Sequence, residues 1–324
     1  MTPPPLSRTP TTFSPTSSNL TAVESQIERV FVGKKDVVRR SLTTFLAGGH
    51  LLIEDVPGVG KTTLALSLAK TTGCTFQRIQ FTSDLLPSDI LGVSLLNPRT
   101  QEFDFKKGPL FHQVILADEL NRATPRTQSA LLEAMNEHQV TADNQTYPLP
   151  RPFFVVATQN PHEHHGAFPL PESQLDRFMM RLSIGYPDAE SEKSILSQNI
   201  DIDSLHQLEA CLTLPDILAL MDQVHQVRVA SPVDDYILAL VRATRRASRV
   251  EVGVSPRGAL ALRKATQAYA LMQERDYVTP DDVKALAGAV LAHRLIFSSE
   301  QVSDTRLESE RLIESLLQEV PVPL

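Results

Sequence analysis

The run from His50 to Thr63 reads HLLIEDVPGVGKTT. Leu51 to Ile53, with Val56 beyond an acidic pair, has the make-up of a buried strand, Pro57 to Gly60 must turn, and the residues after Lys61 have helical composition. A glycine-rich turn at the positive end of a helix points backbone N–H groups into a concave space that suits an anion. A lysine and a hydroxyl beside it suit a nucleotide's phosphates and Mg²⁺. The run is a candidate P-loop, with Gly58, Val59, Gly60, Lys61, Thr62 and Thr63 as phosphate-binding residues and the Thr62 hydroxyl as a metal ligand. The opening glycine of the pattern G-x-x-x-x-G-K-[ST] is absent, because Asp55 stands in its place.

A second constellation is HQVILADELNRA, His112 to Ala123. Val114 to Ala117 reads as a buried strand that ends in Asp118 and Glu119, at the end of an open α/β sheet where ligands sit. Beside a P-loop the two carboxylates divide the work: Asp118 holds Mg²⁺, directly or through water, and Glu119 polarises the attacking water. A third run, Phe153 to Ala157, ends near Asn160, an amide able to bond that water or the γ-phosphate, or simply to form the turn before Pro161. Arg177 can pair with its neighbour Asp176 or reach the nucleotide of an adjacent subunit. Arg257, in VSPRGA, lies at a helix start, where the dipole disfavours a cation unless an anion such as a phosphate balances it. The turn Phe31-Val32-Gly33 is placed to contact a base through Val32 and Gly33. His162, His164 and His165 lack a paired acid or cysteine and read as polar loop.

The elements that must hold these residues follow from periodicity and breakers. Met1 to Leu20 is rich in Pro, Thr and Ser, has little to bury and reads as a disordered tail. Helices are expected from Thr21 and over Lys35–Ala47, Lys61–Thr72, Asp84–Leu91, Thr124–Glu137 and Ser173–Phe178. Strands are expected over Thr75–Gln80, Val114–Ala117, Pro152–Thr158 and Met179–Ile184, and hairpins over Val93–Phe105 and Gln139–Leu149. Tyr186-Pro187-Asp188 ends this alternation, and everything beyond it is helical, several helices opening on proline. The division is therefore a tail over 1–20, an α/β nucleotide-binding domain over 21–186 and a helical domain over 187–324.

The 324 residues, 42% hydrophobic, suffice for two domains with a sizeable core. A net charge of -7 argues against nonspecific affinity for nucleic acid. No run approaches the roughly 20 apolar residues of a membrane helix, and the start, MTPPPLSRTP, lacks a signal peptide's apolar core, so a cytoplasmic protein is expected. Cys74 and Cys211, the two cysteines, are expected as free thiols.

Taken together, EDVPGVGKT, LADELNRATPRTQSALLEAM, FFVVATQNP, GAFPLPESQLDRF and VSPRGALAL followed by VTPDDVKALAGAVLAHR resemble the MoxR family of AAA+ ATPases from about Thr21 to the C-terminus. That resemblance implies an α/β P-loop core with a five-stranded parallel sheet and hairpin inserts, followed by a small all-helical lid. It implies ATP and Mg²⁺ as ligands, Lys61 and Thr62 as Walker A residues, Asp118 and Glu119 as Walker B, Asn160 as sensor 1, Arg177 as an arginine finger acting in trans and Arg257 as sensor 2. Asp55 is a common variation in such proteins. The hairpins resemble the helix-2 and pre-sensor-1 inserts that face a central pore. Departures fall at Leu120, more often Ile, and in the histidine-rich loop, and neither touches the catalytic set. The implied function is a homohexameric ATP-hydrolysing chaperone that remodels partner complexes, with a von Willebrand factor A domain protein as partner. A DNA-acting motor and an assembly switch with little turnover are the alternatives.

Overall fold

The computed structural model describes residues 16–143, 145–160, 167–198, 205, 207–298 and 305–323. Residues 1–15 of the expected tail and the loop carrying His162, His164 and His165 lie outside the described residues.

Helix α1 (Thr16–Val30) begins within the segment expected to be disordered, because Leu20 starts the apolar stripe continued by Val23 and Ile27 and is itself buried. Helix α2 (Lys35–Leu46) leads into β1 (Leu51–Glu54), and α3 (Lys61–Thr71) and β2 (Phe76–Gln80) follow. Helix α4 (Pro87–Leu91) precedes the hairpin of β3 (Gly92–Leu96) and β4 (Phe103–Lys107). Strand β5 (Val114–Asp118), α5 (Pro125–Glu137), the hairpin of β6 (Gln139–Ala142) and β7 (Gln145–Pro148), β8 (Phe154–Gln159), the short α6 (Glu172–Leu175) and β9 (Met180–Leu182) complete the α/β part. Five of these strands form one parallel sheet in the order β2-β5-β8-β1-β9.

The central strands are apolar until their last one or two positions, which is what a sheet covered on both faces requires. Their alternation divides them between two cores. Leu51, Ile53, Val114, Leu116, Phe154 and Val156 point to one, while Leu52, Ile115, Ala117, Val155 and Ala157 point to the other, which α4 and α5 cover with Ile90, Leu131, Leu132 and Met135. Register aligns the polar strand ends along one edge, with Gln80 opposite Asp118 and Glu54 opposite Gln159. A site must form there.

Beyond α7 (Ala189–Gln198) come α8 (Leu214–Gln226), α9 (Ser231–Arg246), α10 (Pro256–Met272), α11 (Pro280–Leu291) and α12 (Thr305–Glu319). Their starts are chemically marked, for example by the Thr213/Asp216 reciprocal cap and by the Asp282 carboxylate accepting from the Thr279 N–H. The lid is helical as expected, with one short ribbon that the sequence does not announce. Val250–Val252 (β10) pairs antiparallel with Ile296–Phe297 (β11), a ribbon too short for its period to stand out from helical flanks. The boundary after residue 186 also separates elements rather than cores. Ile217, Leu240, Leu262, Leu286 and Ile313 of the lid belong to the same buried cluster as Ile27, Phe45 and Leu64 of the first three helices.

The two hairpins touch through Phe105 and Tyr147, stacked with ring centroids 4.2 Å apart. Val93, Leu95, Leu96 and Phe103 of the first hairpin are exposed, Phe103 by 72%.

Candidate active site

Gly60, at φ 92°, caps the start of α3 and, as a glycine, has no side chain to bond that end of the helix. Gly58, at φ 86°, faces open space where a side chain would stand. Together with Lys61 and Thr62 these glycines line one wall of a cavity of about 380 Å³, and Arg78, Gln80, Asp118, Glu119 and Asn160 line the rest. The sequence-predicted phosphate and carboxylate groups are thus brought together by the strand register. The helix end, the open glycine and the adjacent cation fit a polyphosphate, and the Thr62 hydroxyl with the Asp118 carboxylate fits a hard divalent cation. Val59 is half-buried against the core rather than in the cavity lining, and Thr63 packs behind Gly60.

Asp55 is a structural part of the loop. Its Oδ2 accepts from Ser183 Oγ at 2.9 Å and from the backbone N–H groups of Ile184 and Gly185 at 2.7 Å each, and its Oδ1 accepts from Val56 N–H. Burial pushes this carboxyl up, but those donors, Gly185 first, outweigh it and hold the pKa below its ordinary value. The loop's first residue is thereby tied to the chain leaving β9, and its carbonyl accepts from Lys61 Nζ.

The carboxylates at the end of β5 are held by residues that sequence reasoning did not single out. Asp118 accepts from Thr158 Oγ1 at 2.6 Å and pairs with Arg78 Nη2 at 2.6 Å. Thr158 in turn accepts from the Glu119 N–H at 2.9 Å. Glu119 adopts a left-handed backbone, φ 57° and ψ 46°, and its Oε2 accepts from Gln80 Nε2 at 2.7 Å and pairs with Arg122 at 3.2 Å. Arg78 also donates to Gln80 Oε1. One network therefore fixes both carboxylates, and its signal in the sequence is the polar residues toward the strand ends, with Arg78 in the middle of β2 carrying none.

Arg177 and Arg257 do not line this cavity. They meet in a second pocket of about 240 Å³ that shares none of its lining residues with the first. Asp176 pairs with Arg294 at 2.7 Å, and Arg177 donates to the Leu132 carbonyl at 2.8 Å. Arg257 donates to Asn136 Oδ1 at 2.7 Å, so an amide rather than an anion meets this cation at the start of α10. Lys264, two turns further along α10, opens into the same pocket. His50 lies behind it, accepting from Val155 N–H at Nδ1 and bonding the Met135 carbonyl through Nε2, and burial lowers its pKa to about 4.

The Phe31-Val32-Gly33 turn abuts the phosphate loop, since a side chain at Gly60 would come within 3.1 Å of the Phe31 ring. Gly33, at φ 78°, packs on Ser191 so tightly that a Cβ would overlap its Oγ. Val32 and Gly33 thus border the phosphate cavity without lining it. Cys74 and Cys211 are free thiols. Among the described residues no cluster of three His, Cys, Asp or Glu could hold a metal, and no helix is long and apolar enough to cross a membrane.

Residues 50–180 match the family model described as ATPase family associated with various cellular activities (AAA), and residues 242–316 match that of the AAA lid domain. The protein YeaC of Bacillus subtilis, described as uncharacterized, is 48% identical over 303 residues, spanning 94% of each chain. The chaperone MoxR1 of Mycobacterium tuberculosis is 39% identical over 307 residues, 92% of this chain and 81% of that protein. The crystal structure of a candidate ATPase from Cytophaga hutchinsonii superposes with a TM-score of 0.86 at 40% identity, covering 95% of this chain and 96% of that one. With the same core, the same lid and relatives of this closeness along nearly its whole length, the chain belongs to the MoxR family of AAA+ ATPases.

Proposed function

We propose that this protein is an ATP-hydrolysing homohexamer that remodels or matures partner protein complexes, a von Willebrand factor A domain protein being the expected partner. The observation that carries the ATPase reading is the single cavity lined by Gly58, Gly60, Lys61, Thr62, Asp118, Glu119 and Asn160. In it the loop amides and Lys61 hold the phosphates, Glu119 orients the attacking water and Asn160 bonds the water or the γ-phosphate. Thr62 and Asp118 would hold Mg²⁺, which when bound neutralises charge across the phosphate oxygens. Val32 and Gly33 contact the adenine from the turn beside Gly60.

The ring reading is supported by the second pocket. Two arginines expected at the γ-phosphate lie away from their own P-loop and beside one another. Both are therefore assigned to the site of the next subunit, where they offset charge developing on the phosphate. The protein client is supported by the name of the relative MoxR1, a chaperone, and by the exposed apolar residues of the first hairpin. A cytoplasmic location agrees with a nucleotide substrate and free thiols.

The deciding experiment pairs two variants. Glu119→Gln should bind ATP normally, hydrolyse it at least about 100-fold more slowly and retain client in pull-downs with ATP. Arg177→Ala should also bind ATP and lose about 10³-fold in turnover. Wild-type turnover by either removes that residue from its role, and ATPase stimulation by DNA instead of by a captured protein would favour the motor.

A further inference from the structure

Arg294 is 7% exposed and plays no part in the chemistry above. It lies in the turn of 3₁₀-helix, Ala292–Arg294, that follows α11, yet four of its six side-chain bonds go to the loop before β9. Its Nε donates to Asp176 Oδ1 at 2.7 Å, and its Nη2 donates to the carbonyls of Asp176 at 3.2 Å and Phe178 at 2.7 Å. Its Nη1 donates to the Met179 carbonyl at 3.3 Å and to the Val290 carbonyl near the end of α11, and bonds His293 Nε2 at 2.8 Å. One guanidinium thus grips residues 176, 178 and 179, on both sides of Arg177. The other oxygen of Asp176 accepts from Ser255 Oγ at 3.4 Å, and Ser255 is the N-cap of α10, accepting from Gly258 N–H at 3.2 Å. Arg257 stands between those two residues. Gly258 is required here, because a Cβ would come within 2.8 Å of Arg294 Cδ.

The geometry points to Arg294 as a positioning residue that, through Asp176, sets Arg177 and Arg257 as one rigid pair for the neighbouring subunit's nucleotide. A buried ion pair contributes little net stability, because desolvation consumes most of its attraction, so fold stability alone does not account for this one. The planar fork matches a role in orientation, since it fixes several acceptors at once where an ammonium would fix fewer. The finger loop and the lid then move together, and the lid follows whatever the neighbour's phosphates do to the arginines.

This inference rests on the trans assignment above, and subunit mixing separates the two. The variant is Arg294→Met combined with Asp176→Asn, which leaves no buried charge unpaired, and Arg294→Lys serves as a milder companion. The double variant should bind ATP within 2-fold of wild type and lose at least 10-fold in kcat with KM unchanged. Arg294→Lys should fall between it and wild type. Mixed before assembly with Lys61→Ala, whose own site cannot hold nucleotide but whose arginines are intact, the double variant should regain hydrolysis. An Arg177→Ala and Lys61→Ala mixture is the control and should also regain it. Wild-type kcat in the double variant overturns the role of Arg294. So does a double-variant mixture that stays inactive while the control recovers, because the damage then lies in the subunit's own site. A control that fails to recover overturns the trans assignment itself, and the inference with it.

Discussion

Replacing Asp55 by glycine would complete the P-loop pattern and strip four donors of their acceptor. Asp55→Gly should therefore lower stability by on the order of 2–3 kcal/mol in urea denaturation, while nucleotide affinity changes little. The folded pKa of Asp55 lies below its unfolded value, so its contribution is complete above the unfolded pKa and is lost as pH falls through the folded one. The difference between wild type and variant should accordingly shrink in acid. Lys61, Thr62, Asp118 and Glu119 were legible from the sequence because their chemistry is local: each sits at a fixed offset in a strand-to-loop run. Thr158, Arg78 and Gln80 were not. What makes them part of the site is which strand end lies beside which, and that is set by register across the sheet.

At the scale of elements, starts proved more legible than stops or partners. Thr124 and Thr213 each open a helix with a side chain that satisfies an amide, Thr279 opens one by giving its own N–H to Asp282, and proline follows in the first turn of all three. The cap of α11 has a further duty. Asp282 accepts from the Thr279 N–H and also takes both arms of Arg275, at 2.9 and 2.5 Å, while only 3% exposed. Asp282→Ala should cost about 3–5 kcal/mol, seen as a lowered denaturation midpoint, because it leaves Arg275 half-buried without its partner. The ribbon of β10 and β11 escaped notice for want of length, and the early start of α1 because one leucine in a polar run carries no period. The assignment of Arg177 failed to resolve for a different reason. Sequence offered Asp176 as its partner, and only the approach of Arg294 from the lid, 118 residues away, removes that option.

For the whole molecule, two wholly buried histidines set the acid limit. His50 is neutral in the fold, its pKa lowered to about 4 by burial, and His293 is pushed well below its ordinary value by burial and by Arg294 and Arg181. A depressed folded pKa means that the unfolded chain takes up protons first, so stability is complete above about pH 6.5 and falls as pH drops toward 4. His50 alone accounts for on the order of 3 kcal/mol over that interval. Thermal melts from pH 7 to 4.5 should show this slope, and His50→Gln should flatten it. The shared core carries a different consequence, one for the gene. Ile27, Phe45 and Leu64 share one buried cluster with Ile217, Leu262 and Ile313, so a reading frame cut after residue 186 strips a whole apolar face. Residues 16–186 expressed alone should aggregate or melt without cooperativity. Recombination at that point should be barren for the same reason, although the chain changes its secondary-structure pattern there: the lid is inherited with its first three helices as a single unit rather than as an exchangeable module.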